Sequence, residues 1–321
     1  MKIIASIKPY LFLALLFANG AHADTLLVAV QPKVVQPLIG HPLIEKIWNM
    51  NNRRFMDEAA LLAMMGKADV LLLGETHDNP QHHDLQLKLL KARIESGARP
   101  ALLMEQLDTE SQPALDLALA DSDPAEALNT ATGLITFTDR QFYRPFLATA
   151  IDNKLPVIAA NISSRQLQPV IWNGFAAYDA AALKRMAVEE VWSDSRQTYM
   201  LSHIGGAHCG QIRDELRAGL TRSQRLRDAL MADAAVSSIG RGIVAIVGSS
   251  HARRDIGMPL YLAARDPAAH ILSIAFVEVI PGLDAPETYE TDSASGSPPF
   301  DVIWFSSRVD RADPCADFGK K

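Results

Sequence analysis

Short, nearly continuous apolar runs alternate along this chain with stretches of helical period. The runs at 69–73 (DVLLL), 100–104 (PALLM), 156–160 (PVIAA), 242–247 (GIVAIV), 271–278 (ILSIAFVE) and 301–305 (DVIWF) are bounded by turn residues. They have the length and composition of strands buried on both faces. Between them the spacing predicts helices over 80–96, 141–153, 163–172, 180–191 and 223–239. Asn79 suits the N-cap of the first and Pro80 its opening turn, with Leu85, Leu89 and Arg93 on one face. This alternation predicts an α/β fold with a mainly parallel sheet flanked by helices. No strand is expected within 163–238, which reads as a large helical insertion forming a lid or cleft wall. The polar segment 281–299 reads as a loop joining the last two strands.

The amino terminus departs from this pattern. Lys2 and Lys8 precede an apolar run over 11–18 and a small-residue site, Ala21-His22-Ala23. Those are the marks of a secretory signal cleaved after Ala23, so a periplasmic protein is expected, with 24–321 as a single domain. The run is short for a membrane span, no later run is long enough, and no cysteine follows it to carry a lipid anchor. Net charge is −6 and the charges are interspersed, which argues against nucleic acid or an anionic membrane surface as partner. The most basic stretch, 213–227, alternates Arg with Asp, Glu and Leu and reads as a solvated helix face. With only Cys209 and Cys315, and no CxxC or CxxCH, an exported chain is expected to pair them in a disulfide. Closing a loop of roughly a hundred residues stabilises a fold by about 4–5 kcal/mol in the chain-entropy model.

Candidate chemistry gathers at the strand ends. Gly74-Glu75-Thr76-His77 follows one apolar strand and Gly248-Ser249-Ser250-His251 follows another. In an open parallel sheet the cleft lies at the carboxyl ends of the strands, so the two GxxH turns should share one edge. Glu105 and Asn161 end two further strands and should face the same cleft. His77, His251, Glu75 and Glu105 make a ligand set suited to a divalent metal, zinc or manganese. Glu75 or Glu105, if left unbound, could act as general base in hydrolysis.

A second chemistry fits the same cleft. Haem requires an apolar slot, an axial His, Tyr or Met, and cationic groups for its propionates. Tyr143 with Arg144 is the pair chosen as ligand and propionate contact, beside His77 and His251. His82, with His83, falls in the first turn of the predicted helix, where an exposed polar residue is expected; His82 is kept as a further cofactor candidate. His203 and His208, in LSHIGGAHCG, read as a Gly-rich surface turn.

The segments LLLGETHDNPQHHDLQ, LLMEQ, HCG followed by SQRLRDALMA, IVGSSHARRDIGMPLYL and DVIWFSSRVDRADPC resemble, in order, the ChaN family of haem-binding uptake proteins, grouped with the Tiki, TraB and erythromycin esterase proteins. The resemblance implies a secreted, iron-linked protein that binds haem on an α/β core as a dimer enclosing its ligand. From the Tiki branch it implies a paired-GxxH metal site for peptide hydrolysis, at His77 and His251 with Glu75 and Glu105. It also supports the Cys209–Cys315 disulfide. Three readings follow: a periplasmic haem-binding protein of iron uptake, a metal-dependent esterase or peptidase, and a non-catalytic helper of an outer-membrane haem receptor.

Overall fold

A computed structural model describes residues 40–290, 293–311 and 315; the expected signal sequence and cleavage site lie outside them. Eight strands form one sheet: β1 (Ile47–Asn49), β2 (Arg54–Met56), β3 (Val70–Glu75), β4 (Ala101–Asp108), β5 (Val157–Asn161), β6 (Ile243–Gly248), β7 (Ile271–Glu278) and β8 (Val302–Ser306). Their order is β2-β1-β8-β7-β3-β6-β4-β5. β3 to β8 run parallel to one another, and β1 is antiparallel to both β2 and β8.

All six strands expected from the apolar runs are present, and their composition has a direct cause. Alternate residues of β3 enter opposite cores, Val70 and Leu72 on one side and Leu71 and Leu73 on the other. A strand covered on both faces has no polar side to show. The hairpin β1–β2 is an addition to the expected sheet. Its three-residue strands are too short to express a period, and Phe55 stays exposed on the edge strand.

The helix Pro80–Glu95 starts as expected, with the Asn79 side chain accepting from Gln81 N and His82 N. Its inner face differs from the expected one, being formed by His82, His83, Gln86, Leu89, Leu90 and Ile94. Between β5 and β6 the chain is helical, with helices Ser164–Asn173, Ala180–Arg185, Asp194–Ala207 and Asp214–Val236. Two local expectations are corrected there. Residues 213–227 are not a solvated face: Gly219, Thr221 and Leu226 are buried, and the Arg225 guanidinium lies 4.6 Å from the Trp192 ring and 4.8 Å from Phe175. Aliphatic arginine stems let such a stretch be buried while each charge keeps a partner. LSHIGGAHCG is mostly helix rather than a loop, because the helix runs to Ala207 through both glycines. Beyond it, Cys209 and Gly210 take left-handed backbone, and Cys209 is bonded to Cys315.

Candidate functional site

β3 and β6 are adjacent and in register, with Glu75 opposite Gly248, so both GxxH turns leave the sheet at one edge. β4 lies on the other side of β6, and its ladder with β5 shifts register between Met104 and Asp108. Glu105 falls at that irregularity, where a strand can redirect a side chain. Its Oε2 accepts the Gly248 N–H at 2.6 Å.

Two groups of side chains result. In the first, Glu75 is buried and Oε1 accepts from His77 Nδ1 at 2.9 Å and from the Tyr143 hydroxyl at 2.7 Å. Oε2 lies 2.7 Å from His83 Nδ1, while His83 Nε2 donates to the His77 carbonyl at 3.0 Å. Phe142 stacks on His83 with ring centroids 4.7 Å apart. Burial works to raise the Glu75 carboxyl, but the hydrogen bonds and charges of His77 and His83 outweigh it and lower it. Burial and the Glu75 charge raise the Tyr143 phenol, so it is a neutral donor.

In the second group His251 bridges two buried carboxylates, with Nδ1 2.7 Å from Asp228 Oδ1 and Nε2 3.2 Å from Glu105 Oε1. Burial works against its charge, yet Glu105 and Asp228 raise it to about 10, so at neutral pH both nitrogens donate. Against its own burial, Glu105 is held at about 2, chiefly by the His251 charge. Burial raises Asp228 to about 6 against the pull of His251.

His77 joins the groups. A Cβ on Gly248 would stand 2.9 Å from His77 Cε1, 3.0 Å from its Nε2 and 3.5 Å from Glu105 Oε2. The imidazole therefore lies over the glycine, beside Glu105, and Gly248 is needed for room rather than for a special φ. Gly74 serves the same end, since its Cβ would meet Ala252 Cβ at 2.9 Å and Ser249 Cα at 3.0 Å. The His77 side chain is 46% exposed against 6% for His251. Burial lowers the His77 pKa, but Glu75 and Glu105 raise it to a net increase.

Of the residues expected at the site, the structure brings together His77, His251, Glu75, Glu105 and Tyr143. His82 lies elsewhere: it is fully buried, accepts from Thr76 N at 2.9 Å and lies 2.7 Å from Ser306 Oγ. Burial lowers it to about 4. Arg144 reaches Thr132 Oγ1 at 3.4 Å and none of the cluster. Asn161 is at the strand end as expected, accepting from Arg227 Nη1 at 2.6 Å. Among the described residues, no group of three or more His, Cys, Asp or Glu side chains is arranged to hold a metal ion. The reason is local: both His251 nitrogens and His77 Nδ1 are engaged by carboxylates, leaving neither side a shared open position.

His83, Asp228 and Arg227 also belong to this region, and the sequence pattern does not mark them as site residues. Asp228 lies in SQRLRDALMA, one of the segments carrying the family resemblance, but nothing in its helical spacing marks it as a partner of His251.

Residues 61–262 match the family model described as haem-binding uptake, Tiki superfamily, ChaN. The chain belongs to the ChaN family. ChaN of Campylobacter jejuni, whose structure is described for cofacial haem binding, superposes with a TM-score of 0.64 at 19% identity, over 80% of this chain and 95% of that one. That likeness establishes the ChaN fold. An erythromycin esterase in its open conformation matches with a TM-score of 0.43 at 13% identity, over 79% and 94% of the two chains. A succinoglycan biosynthesis protein matches with a TM-score of 0.42 at 13% identity, over 77% and 90%. No curated protein matches.

Proposed function

We propose that the mature chain, from Asp24, is a single-domain periplasmic protein that binds haem non-covalently as cargo for iron uptake, in the cleft where β3, β6 and β4 end. The observation that carries this reading is membership of the haem-binding uptake family. The disulfide agrees with an oxidising compartment. Among the described residues no helix is long and apolar enough to cross a membrane. His77 is the residue assigned to iron, because it is the half-exposed imidazole of the cluster and has Phe137 edge-on at 5.0 Å. Tyr143 is less suited than its sequence context suggests, since its hydroxyl is buried against Glu75. A homodimer and an outer-membrane haem receptor remain the partners this reading calls for, to be sought by crosslinking in cells. A haem titration of the mature protein tests it: a saturable Soret shift at low micromolar haem or below supports it, and no specific shift removes it.

A hydrolase is the second reading, and one observation favours it. Glu75 fixes His77 Nδ1, and the other side of the ring faces Glu105, the arrangement of an imidazole general base oriented by a carboxylate. Turnover of ester or peptide substrates that disappears in His77→Ala would support it. Stoichiometric zinc or manganese after purification without chelator would be required for its metal-dependent form.

A further inference from the structure

The turn that carries His77 is gripped by the far end of the chain. After β8, Ser307 N donates to Gln81 Oε1 at 2.9 Å and Ser307 O accepts from Asn79 Nδ2 at 3.0 Å. Val309, fully buried, donates its N–H to Glu278 Oε1 at 3.3 Å. Arg311 then forks between two carboxylates. Its Nε and Nη2 reach Asp78 at 3.0 and 2.7 Å, and its Nη1 and Nη2 reach Glu278 at 2.6 and 2.7 Å. Asp78 follows His77 directly, and Glu278 ends β7, the neighbour of β3. Glu278 also accepts from Asn79 Nδ2 at 2.8 Å, so one guanidinium ties the turn, the helix cap and the next strand. Cys315, four residues beyond Arg311, is bonded to Cys209 at the end of the helix Asp194–Ala207. Both cysteines are partly exposed.

We propose that Arg311 is a positioning residue for His77 and that the Cys209–Cys315 disulfide is the thiol-sensitive anchor of this hold. The role assigned to His77 rests on the haem reading; the latch itself does not. A planar guanidinium can hold two carboxylates bidentately, which a lysine ammonium cannot do. The disulfide limits how far the segment bearing Arg311 can leave Asp78. An external dithiol reverses this: it supplies two electrons and two protons, closes to its own disulfide, and leaves Cys209 and Cys315 as thiols. The contacts of Ser306 and Ser307 persist on reduction, so the change is confined to the turn.

The test is hydrogen exchange on the oxidised mature protein, followed at the amides of 76–79 and compared with β3 and β6. Arg311→Ala should speed exchange in the turn about five- to tenfold, with Arg311→Lys intermediate and the central strands unchanged. Reduction with dithiothreitol, or the Cys209→Ser/Cys315→Ser pair, should speed the same amides about two- to threefold. If Arg311→Ala does not fold, Asp78→Asn removes the same pairing. Unchanged turn exchange in the Arg311 variants, or equal acceleration of every segment on reduction, overturns the proposal. Parallel haem titrations separate the two claims. Haem bound by the Arg311→Ala protein with wild-type affinity and Soret position refutes positioning, whereas a loosened turn with no haem binding in any form refutes only the haem reading.

Discussion

The two GxxH turns share a motif, a strand context and a sheet edge, yet their histidines sit in different surroundings. His251 is sealed under the helix Asp214–Val236, between Asp228 and Glu105. His77 stands half-exposed at the sheet edge, held by Glu75 on one side and resting over Gly248 on the other. The difference lies in what covers each turn, not in the turn itself. A buried imidazolium between two carboxylates is a fixed charge; an open imidazole beside carboxylates is available to a ligand.

The sharpest way to break this comparison is to remove each histidine. His251→Ala or Asp228→Ala leaves a buried charge without its partner and should destabilise the protein by about 3–5 kcal/mol. His77→Ala should cost less, about 1–3 kcal/mol, because the ring is half-exposed and the buried Glu75 carboxylate keeps Tyr143 and His83 as partners. Urea unfolding of the three variants decides it; equal losses at positions 77 and 251 would erase the distinction.

The pH dependence of stability should follow the sealed cluster. His251 is raised in the folded state from 6.5 to about 10, so its contribution is full below 6.5 and is lost as pH rises through about 10. Glu105 is lowered from 4.5 to about 2, so its contribution is present above 4.5 and is lost as pH falls through about 2. Asp228 acts in the opposite sense, costing stability as it ionises between 3.8 and about 6. In urea midpoints against pH, the decline above 6.5 should flatten in His251→Gln and persist in His77→Gln.

A smaller effect separates the glycines. Gly74→Ala meets the backbone of Ser249 and should cost about 1–3 kcal/mol as an overpacked contact. Gly248→Ala meets the half-exposed His77 ring, which can move, so it should cost less in stability while displacing His77. Melting temperature and the imidazole NMR signals of His77 report the two effects separately.

Much of the fold was legible because parallel strands buried on both faces leave apolar runs that few other structures produce. The β1–β2 hairpin was not, since three-residue strands carry no period. The shared edge of the GxxH turns was legible for the same reason as the strands, and Glu105 with it. Asp228 was hidden among the arginines of a helix that looked solvated, because sequence shows alternating charge but not which face meets the sheet. His82 and His83 misled in another way. Polar residues in a first helical turn look exposed, yet here both are buried and bonded, His82 to Thr76 and Ser306 and His83 to the His77 carbonyl. Tyr143 and Arg144 are adjacent in sequence but point in different directions, one to Glu75 and the other to Thr132, which adjacency along a helix does not reveal.

The most direct test of the central claim is a Soret titration of residues 24–321, alongside His77→Ala. A saturable shift in the wild type, weakened about tenfold or more in His77→Ala, is the predicted result, a factor of ten corresponding to about 1.4 kcal/mol. No saturable shift in the wild type, or full binding retained without His77, would contradict the account.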